Sequence, residues 1–453
     1  MIFAVPLAWL QLTYEKSRLL VAIAGITFAV VLMFMQVGFQ DALFTSAIRL
    51  QSSLVGDVVL ISPQSTNLVG MRNFSQRRMY QTLRYEGVES VNALYIGLSA
   101  WKVKEDPAGK TRNILVLGAN PAANVFKMPG TVEGMSQVQQ QDVILFDRSS
   151  RIEFGPIVSE CGVDALKTLY TAEAFQCKNI VTREIDNRKI KIGGLFELGS
   201  SFAADGAIIT SDTNFLRILD KRKAGLINVA LINLKPNASP FNTIADIVKG
   251  LPGETVVLTK KGHLKADGKR VKQVPSDPDR VAIDKKDLTL DDIKEAADVA
   301  VDDTRILTME GFRNFEKSYW QKSTAIGFIF TLGTIMGFIV GIVIVYQILY
   351  TDVSDHMAEY ATLKAMGYSN FYLSKVVIQE AFALSFLGFI PGLIICTLLY
   401  DLTRNATRLP LSMNSDNWWK VWFVLTLTVV MCCISGFISL RKVHSADPAE
   451  IFG

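Results

Sequence analysis

The sequence has few of the residues on which most enzyme active sites depend. Only three histidines occur among 453 residues, at positions 263, 356 and 444, and they lie far apart along the chain. It contains no H-E-x-x-H, paired C-x-x-C or G-x-S-x-G motif, so neither a zinc site nor a serine hydrolase is supported. A carboxylate dyad stays open, but we expect no catalytic and no metal-binding residues.

A phosphate-binding loop is also missing. Gly109, Lys110 and Thr111 resemble the end of such a loop, but Lys104 stands where a further glycine is needed. We therefore expect no nucleotide or other cofactor to bind to this chain. The net charge is only +4 and no basic run contains interleaved aromatic residues, so no nucleic-acid partner is expected.

Cysteines are few, and they divide into two groups. Cys396, Cys432 and Cys433 lie in apolar segments, where they are expected to act as packing residues. Cys161 and Cys177 lie in a long polar segment. If that segment is outside the cytoplasm, the two either form a disulfide or remain free thiols.

Long apolar runs are what the sequence does contain. Its mean hydropathy is +0.27, which is high for a soluble protein. Four segments can cross the ~30 Å hydrocarbon layer, namely Leu19–Phe39, Ser323–Tyr350, Val376–Tyr400 and Val421–Leu440. The first follows Lys16 and Arg18 without a small-residue cleavage site, so it predicts a permanent anchor and not a signal peptide.

Basic residues flank the spans mainly on one side. They are Lys16, Arg18, Lys364, Lys375, Arg441 and Lys442. The bias is modest because the opposite loop carries Arg404, Arg408 and Lys420. The positive-inside rule places both termini in the cytoplasm and the large domain on the other side of the membrane. In a cell inner membrane, the location we expect, that side is the periplasm. The predicted order is an interfacial elbow helix 1–18, TM1 19–40, a periplasmic domain 41–318, a stalk end with TM2 319–350, a cytoplasmic loop with a coupling helix 351–375, TM3 376–400, a short periplasmic loop 401–420, TM4 421–440 and a cytoplasmic tail 441–453.

The elbow helix is predicted from Pro6 to Tyr14, with Trp9 at the membrane interface. It is either a separate helix or the cytoplasmic end of the first span.

The large domain has the pattern of a mixed α/β fold. Predicted strands are Asp57–Ile61, Val91–Val103, Arg112–Leu117, Lys189–Phe196, Gly206–Thr210, Asn228–Leu234 and Thr255–Thr259, and predicted helices are Ser75–Tyr85 and Pro240–Lys249. The strand–helix–strand order occurs twice, which suggests a pseudo-repeat split by a central insertion. Residues 260–305 are rich in Lys and Asp and predict an exposed charged insertion. A helix is predicted to start near Leu307 and to continue into the second span as a stalk.

Three polar residues fall inside the predicted spans, Gln36, Gln347 and Glu380. Polar groups are costly in lipid, so each is expected to face protein. The two glutamines favour interhelical hydrogen bonds. Glu380 either contacts the gating interface near the cytoplasmic loop or reaches the lipid headgroups from the helix end.

Glycines recur at four-residue steps in the second span, at Gly333, Gly337 and Gly341. They share one helical face, where another helix can approach closely, either within the protomer or across a homodimer.

Several stretches, together with the order of the segments, carry a family resemblance. They are TAIGFIF at 324–330, GFIVGIVIVYQILY at 337–350, EYATLKAMGY at 359–368, GFIPG at 388–392, ADPAEIF at 446–452, and GLFELG at 194–199 and SFAADG at 201–206 in the large domain. The chain resembles the FtsX-like or MacB-type (type VII) permeases of the ABC superfamily, and within them the DevC type of cyanobacterial exporters. The implied fold is four transmembrane helices with a large extracytoplasmic α/β domain.

The resemblance implies a permease that is not itself an enzyme. A separate DevA-like ATPase would bind ATP and Mg, and the permease would act as a homodimer among membrane lipids. A DevB-like adaptor and a TolC-like outer-membrane protein would complete an exporter of a glycolipid or other amphiphile. The alternative is an FtsX-like signal transducer that controls an extracytoplasmic hydrolase.

The implied mechanism is mechanotransmission from the ATPase to the periplasmic domain. ATPase-coupling contacts are expected in the short helix between the second and third spans, at Glu359, Thr362, Leu363, Lys364 and Met366. Burial against the spans is the other interpretation of Leu363 and Met366. Gly367 is expected to end that helix.

Overall fold

The computed structural model of the chain describes residue 14 and residues 16–103, 110–163, 172–199, 201, 204–260, 271–274, 277–407, 409–411 and 418–444. Most of the predicted elbow helix and the 446–452 stretch lie outside these residues. The chain forms two compact units. The membrane unit comprises Met1–Leu43 and Thr324–Gly453, and the α/β unit comprises Phe44–Ser323.

The described strands all lie in the α/β unit, where they alternate with short helices, whereas the membrane unit is helical. The helices are α1 Lys16–Ala47, α2 Arg49–Ser52, α3 Gln76–Gln81, α4 Thr131–Gly134, α5 Ile157–Glu160, α6 Asp212–Ile218, α7 Pro240–Gly250, α8 Leu290–Glu295, α9 Met309–Lys322, α10 Ala325–Asp355, α11 Met357–Ala365, α12 Asn370–Thr407 and α13 Trp418–His444. The strands are β1 Val58–Ile61, β2 Phe74–Ser75, β3 Val88–Lys102, β4 Thr111–Ala119, β5 Val143–Asp147, β6 Gln176–Ile185, β7 Arg188–Phe196, β8 Ala207–Ser211, β9 Leu226–Ile227, β10 Val229–Leu234, β11 Thr255–Lys260, β12 Val271–Val274, β13 Asp277–Asp284, β14 Ala296–Val301 and β15 Thr304–Thr308. The seven strands and two helices expected from the sequence are all present.

One sheet organises the α/β unit. Its thirteen strands run in the order β12-β13-β11-β14-β15-β1-β10-β3-β4-β8-β5-β7-β6. In β1 all four residues are buried, with Val58 and Leu60 in one hydrophobic cluster and Val59 and Ile61 in the other. This alternation follows from the two-residue period of a strand, so the middle of the sheet is covered on both faces.

Six strands of the sheet form a closed ring. The long strand β3 pairs with β4 from Leu94 to Lys102 and also meets β6 at Trp101 and Ile185. Trp101 is fully buried and donates a hydrogen bond from Nε1 to the Phe154 carbonyl oxygen at 3.1 Å. Next to the ring, Cys161 and Cys177 are joined by a disulfide.

The two strand–helix–strand units differ in the spacing of their strands. Strands β1 and β3 of the first unit flank β10, as in a split β-α-β arrangement. Strands β10 and β11 of the second unit are separated by β1, β15 and β14. The expected pseudo-repeat is therefore present in the order of the elements but not in their position within the sheet.

The prediction of an exposed insertion at 260–305 is wrong for its described part. Strands β13 and β14 lie on either side of β11, and the side chains of Ile283, Val299 and Val301 are buried. Asp298 and Arg305, both buried, form an ion pair at 2.5 Å. This pair of charges is therefore neutralised within the sheet.

The prediction of one continuous helix into the second span is also wrong. Leu307 belongs to β15, and α9 begins after Thr308, whose hydroxyl caps it by accepting from the Gly311 N–H at 3.0 Å. Helix α9 ends at Lys322, and α10 begins after Thr324, which caps it through the Ile326 N–H. Two capped helices replace the expected single one.

Four helices of the membrane unit, α1, α10, α12 and α13, are long and apolar enough to cross a membrane. Each extends past its predicted span. Exposed apolar side chains follow one face of α12 at four-residue steps, namely Phe382, Phe386, Ile390, Ile394, Leu398 and Leu402. Exposed Trp418, Trp419 and Trp422 start α13, as expected for aromatic residues at a membrane interface.

Candidate functional site

The short helix α11 is the candidate coupling element. It has nine residues and follows α10 after His356, which lies outside both helices. At its end Gly367 has φ of +95°, and the Tyr368 and Gly367 N–H groups donate to the carbonyl oxygens of Leu363 and Lys364 at 3.1 Å. This pair of bonds is a Schellman motif, so the expectation that Gly367 ends the helix is confirmed.

One side of α11 is anchored to the long helices. Tyr360 and Ala361 are fully buried. Leu363 packs on a cluster that contains Val353, Tyr360, Leu373, Val377 and Leu440. Of the predicted coupling residues, Leu363 therefore supports the helix, as the burial interpretation proposed.

The other side of α11 is exposed. Glu359, Thr362 and Met366 are exposed, and Lys364 is half-buried. Sequence reasoning missed the residues that continue this surface, since Tyr368, Phe371 and Tyr372 are exposed too. Aromatic residues between two spans, immediately after a helix-ending glycine, were the signal available. We call the exposed set Glu359, Thr362, Met366, Tyr368 and Phe371 the α11 face.

Two ion pairs hold α1 near its two ends. Arg18 pairs with Asp355 at the end of α10. Asp41 pairs with the buried Lys420 of α13 at 2.5 Å. Along an α-helix, Arg18 and Asp41 are roughly 35 Å apart, slightly more than the ~30 Å hydrocarbon layer. The charges therefore bracket the apolar part of the bundle.

The glycine face of α10 packs inside the protomer. A Cβ added to Gly333 would come within 2.6 Å of the Gln36 amide, and one added to Gly337 would lie 3.6 Å from Met33. At Gly341 the neighbours are Met431 of α13 and Ala29 of α1. Of the two alternatives, close packing within one protomer is the one observed. Gln347 lies elsewhere, on the wall of a groove of about 700 Å³ between α1 and α10.

Glu380 does not reach toward lipid headgroups. Its side chain is fully buried in α12, and neither carboxyl oxygen has a hydrogen-bond partner within the described structure. The Tyr360 hydroxyl, also fully buried, has no such partner either. Burial, followed by the nearby Glu380 and Asp352 carboxyls, raises the pKa of Tyr360 above its ordinary value. The helix-end interpretation of Glu380 is therefore wrong.

Two buried carboxyls in the α/β unit have raised pKa values. Burial raises the pKa of Glu316 to about 7, although its carboxyl accepts from the Leu68 N–H at 2.8 Å and from the Trp320 indole N–H at 2.9 Å. Burial likewise raises the pKa of Asp147 to about 7, although hydrogen bonds from the backbone N–H groups of Ser149, Leu198 and Gly199 act to lower it. The described residues contain no group of three or more His, Cys, Asp or Glu placed to hold a metal ion.

The raised pKa of Glu316 predicts a pH-dependent contact between α9 and the loop around Leu68. The folded-state pKa of about 7 exceeds the ordinary value of 4.5, so the folded state holds the extra proton between these values. The stabilisation is complete below about pH 4.5 and is lost as the pH rises through about 7. We expect the thermal midpoint of the α/β unit to fall by roughly 5 °C from pH 5 to pH 8, measured by near-ultraviolet circular dichroism of the full chain.

The Glu316→Gln variant is the control for that measurement. Its amide keeps the size of the side chain but carries no titrating proton, so the midpoint should fall less between the two pH values. A fall as large as that of the unmodified chain would mean that Glu316 does not cause the pH dependence.

Fold and site together define a class of protein, an α-helical membrane protein with four candidate spans and a large α/β domain between the first two. Within it, residues 325–448 match the family model described as FtsX-like permease C-terminal. The match covers about a quarter of the chain and includes α10, α11, α12 and α13. The candidate coupling helix therefore lies in the segment that matches this family model.

Solved structures with some likeness to the chain include two outer domains and one domain of a putative permease. The periplasmic region of MacB from Actinobacillus actinomycetemcomitans is 10% identical with a TM-score of 0.27, over 46% of this chain and 86% of that one. The extracellular domain of the noncanonic ABC-type transporter YknZ from Gram-positive bacteria is 10% identical with a TM-score of 0.28, over 42% and 90%. A domain of a putative permease protein from Porphyromonas gingivalis is 18% identical with a TM-score of 0.25, over 44% and 82%. No curated protein matches the chain.

Proposed function

We propose that the chain is the membrane permease subunit of an ATP-driven exporter of the FtsX-like, MacB-type (type VII) ABC group, close to the DevC type. The observation that carries the proposal is the α11 face. Its residues lie on and directly after a short helix that is anchored on one side, exposed on the other and contained in the segment that matches the FtsX-like model. Such a helix offers a soluble partner a surface that is packed directly on three membrane helices.

A separate ATPase would supply the energy of ATP hydrolysis. This chain lacks the glycine of a phosphate-binding loop at position 104, so a DevA-like partner would bind ATP and Mg and dock on the α11 face. Two copies of the permease would pair with two copies of the ATPase. A DevB-like adaptor and a TolC-like outer-membrane protein would carry a glycolipid or another amphiphile away from the periplasmic side.

Movement would travel along the chain itself. Helix α11 packs against α10 through Val353 and against α12 through Leu373 and Val377. Helix α10 starts three residues after the end of α9, which belongs to the α/β unit. A displacement of α11 would therefore act on the helix whose other end continues into the large domain. In this orientation both termini and α11 are cytoplasmic and the α/β unit is periplasmic.

Co-purification from native membranes tests the proposal. A tagged full-length chain should bring down an ABC ATPase together with a membrane-fusion adaptor and an outer-membrane duct, and the assembly should hydrolyse ATP. A matched variant, Phe371→Asp, should lose the ATPase while it keeps the adaptor, because only the α11 face is altered.

The partners decide between export and signalling. Recovery of a cell-wall hydrolase instead of an adaptor and duct would favour the FtsX-like signal transducer. Recovery of no ATPase under conditions that keep the permease folded would overturn both alternatives.

A further inference from the structure

Two buried polar groups beneath α11 are left without partners, although they match each other chemically. Tyr360 belongs to α11 and Glu380 to α12, and neither side chain is exposed. The hydroxyl of the first and both carboxyl oxygens of the second make no hydrogen bond to the described residues. A buried polar group without a partner costs about 1–3 kcal/mol, more when it is charged.

Packing alone does not account for these residues. The surrounding cluster is apolar, with Val353, Leu373, Val377 and Leu440 around the tyrosine ring. Phenylalanine and leucine at positions 360 and 380 would fill the space without any polar cost. The polar atoms therefore point to a contact that this arrangement of α11 does not make.

Tyr360 and Glu380 can act as donor and acceptor. The raised pKa of Tyr360 keeps its hydroxyl protonated, so it is a lasting hydrogen-bond donor. A carboxyl oxygen is a strong acceptor. Val377 of α12 packs in the same buried cluster as Tyr360, and Glu380 follows Val377 by about one helical turn. The two groups therefore lie on neighbouring turns of the packed helices.

Helix α11 has a joint at each end that permits such a shift. His356 interrupts the helical path between α10 and α11. Gly367 has φ of +95° and nothing within 4 Å of the position of an added Cβ. Between these joints, nine residues can move as one body against α12.

We propose that Tyr360 and Glu380 are positioning residues that form a hydrogen bond in a second position of α11, the one imposed by the ATP-bound ATPase. The bond would hold α11 against α12 while the displacement is transmitted to the long helices. Loss of the bond would return α11 to the position described here. This inference rests on the proposed function and adds the internal contact that stabilises the displaced position of α11.

A double-mutant cycle tests the pair in the complex that co-purifies with the full-length chain, reconstituted in lipid nanodiscs. ATP hydrolysis of the complex should fall about tenfold in Tyr360→Phe and in Glu380→Gln, which is the size of one hydrogen bond to a carboxyl group. The double variant should fall no further than either single one. Tyr346→Phe is the matched control and should keep full activity, because Tyr346 is a half-buried tyrosine of α10 whose ring contacts that of Tyr350.

A second measurement separates positioning from simple support. The thermal midpoint of the permease without the ATPase is measured for the same single and double variants. The effects of the two substitutions on that midpoint should add, because the bond is absent there. Coupling already present in the permease alone would overturn the proposal, since the groups would then be joined at rest. In the vanadate-trapped complex, the infrared band of the Glu380 carboxyl should shift relative to the nucleotide-free complex, and Tyr360→Phe should abolish that shift.

The outcomes separate this inference from the function on which it rests. If the unmodified chain couples ATP hydrolysis but both single variants retain full activity, the pair has no positioning role and the permease function stands. If no ATPase is recovered, the function fails and the inference fails with it.

Discussion

Replacement of Gly388 by alanine is expected to lower the stability of the membrane unit by about 1–3 kcal/mol, the cost of overpacking a tight core. The added Cβ would lie 2.5 Å from the Cβ of Ile26, well inside van der Waals contact. Ile26 is fully buried in α1 and branched at Cβ, so it cannot turn away. The Thr27 hydroxyl also donates to the Gly388 carbonyl oxygen at 3.1 Å, which fixes the distance between α1 and α12.

A second glycine one turn later increases the constraint. At Gly392 an added Cβ would lie 2.6 Å from Cγ1 of Val30, another buried, branched residue of α1. Gly388 and Gly392 together form a small-residue face against which α1 packs. The double substitution Gly388→Ala with Gly392→Ala should therefore prevent recovery of a folded bundle.

Gly337→Ala is the matched control. An added Cβ there would lie 3.6 Å from Met33 in ordinary contact, and alanine favours a helix over glycine by about 1 kcal/mol. Thermal unfolding in detergent should give a lower midpoint for Gly388→Ala and an unchanged or slightly higher one for Gly337→Ala. Equal midpoints for the two variants would contradict the close approach of α1 and α12.

The membrane helices could be predicted from the sequence because lipid imposes a simple requirement. About twenty consecutive apolar residues are needed, and four segments meet it. Strands such as β1 and β10 were recognisable for a similar reason, since short runs of branched residues lie between turn residues. In each case the information is contained in neighbouring positions of the chain.

The structure of residues 277–305 was not recognisable, because it depends on pairing. Asp298 and Arg305 appear in the sequence as two more charges of a polar segment. In the fold they face each other across the β14–β15 hairpin, and Asp298 also accepts from Thr259 of β11. Composition counts charges but does not reveal which of them neutralise each other.

The sequence predicted the position and the end of the candidate coupling helix, but not which of its sides is packed. Gly367 was recognisable as a helix end because glycine tolerates positive φ. The sequence could not separate Leu363 from Met366, since both are apolar residues of one short helix, and the packed side of that helix depends on α12 and α13. The burial of Glu380 likewise depends on helices that are distant in sequence.

Met366→Asp is expected to abolish stimulation of the proposed partner ATPase and to leave the chain folded. Met366 is 64% exposed at the end of α11, so a carboxylate there stays in water and disturbs no packing. On the α11 face it would place a charge in an apolar contact with the ATPase, and an unpaired charge in an interface costs several kcal/mol. Stimulation should fall by at least about tenfold, measured as ATP hydrolysis of the reconstituted complex.

Leu363→Asp is the contrasting substitution. Its side chain packs on the buried cluster beneath α11, so the acid would destabilise the permease itself and lower its thermal midpoint. Val132→Asp makes the same kind of change at a residue of the α/β unit that is 78% exposed, and it should affect neither quantity. A Met366→Asp protein that stimulates the ATPase normally would exclude the α11 face as the docking surface. A large loss of its thermal midpoint would instead mean that Met366 supports the bundle, as Leu363 does.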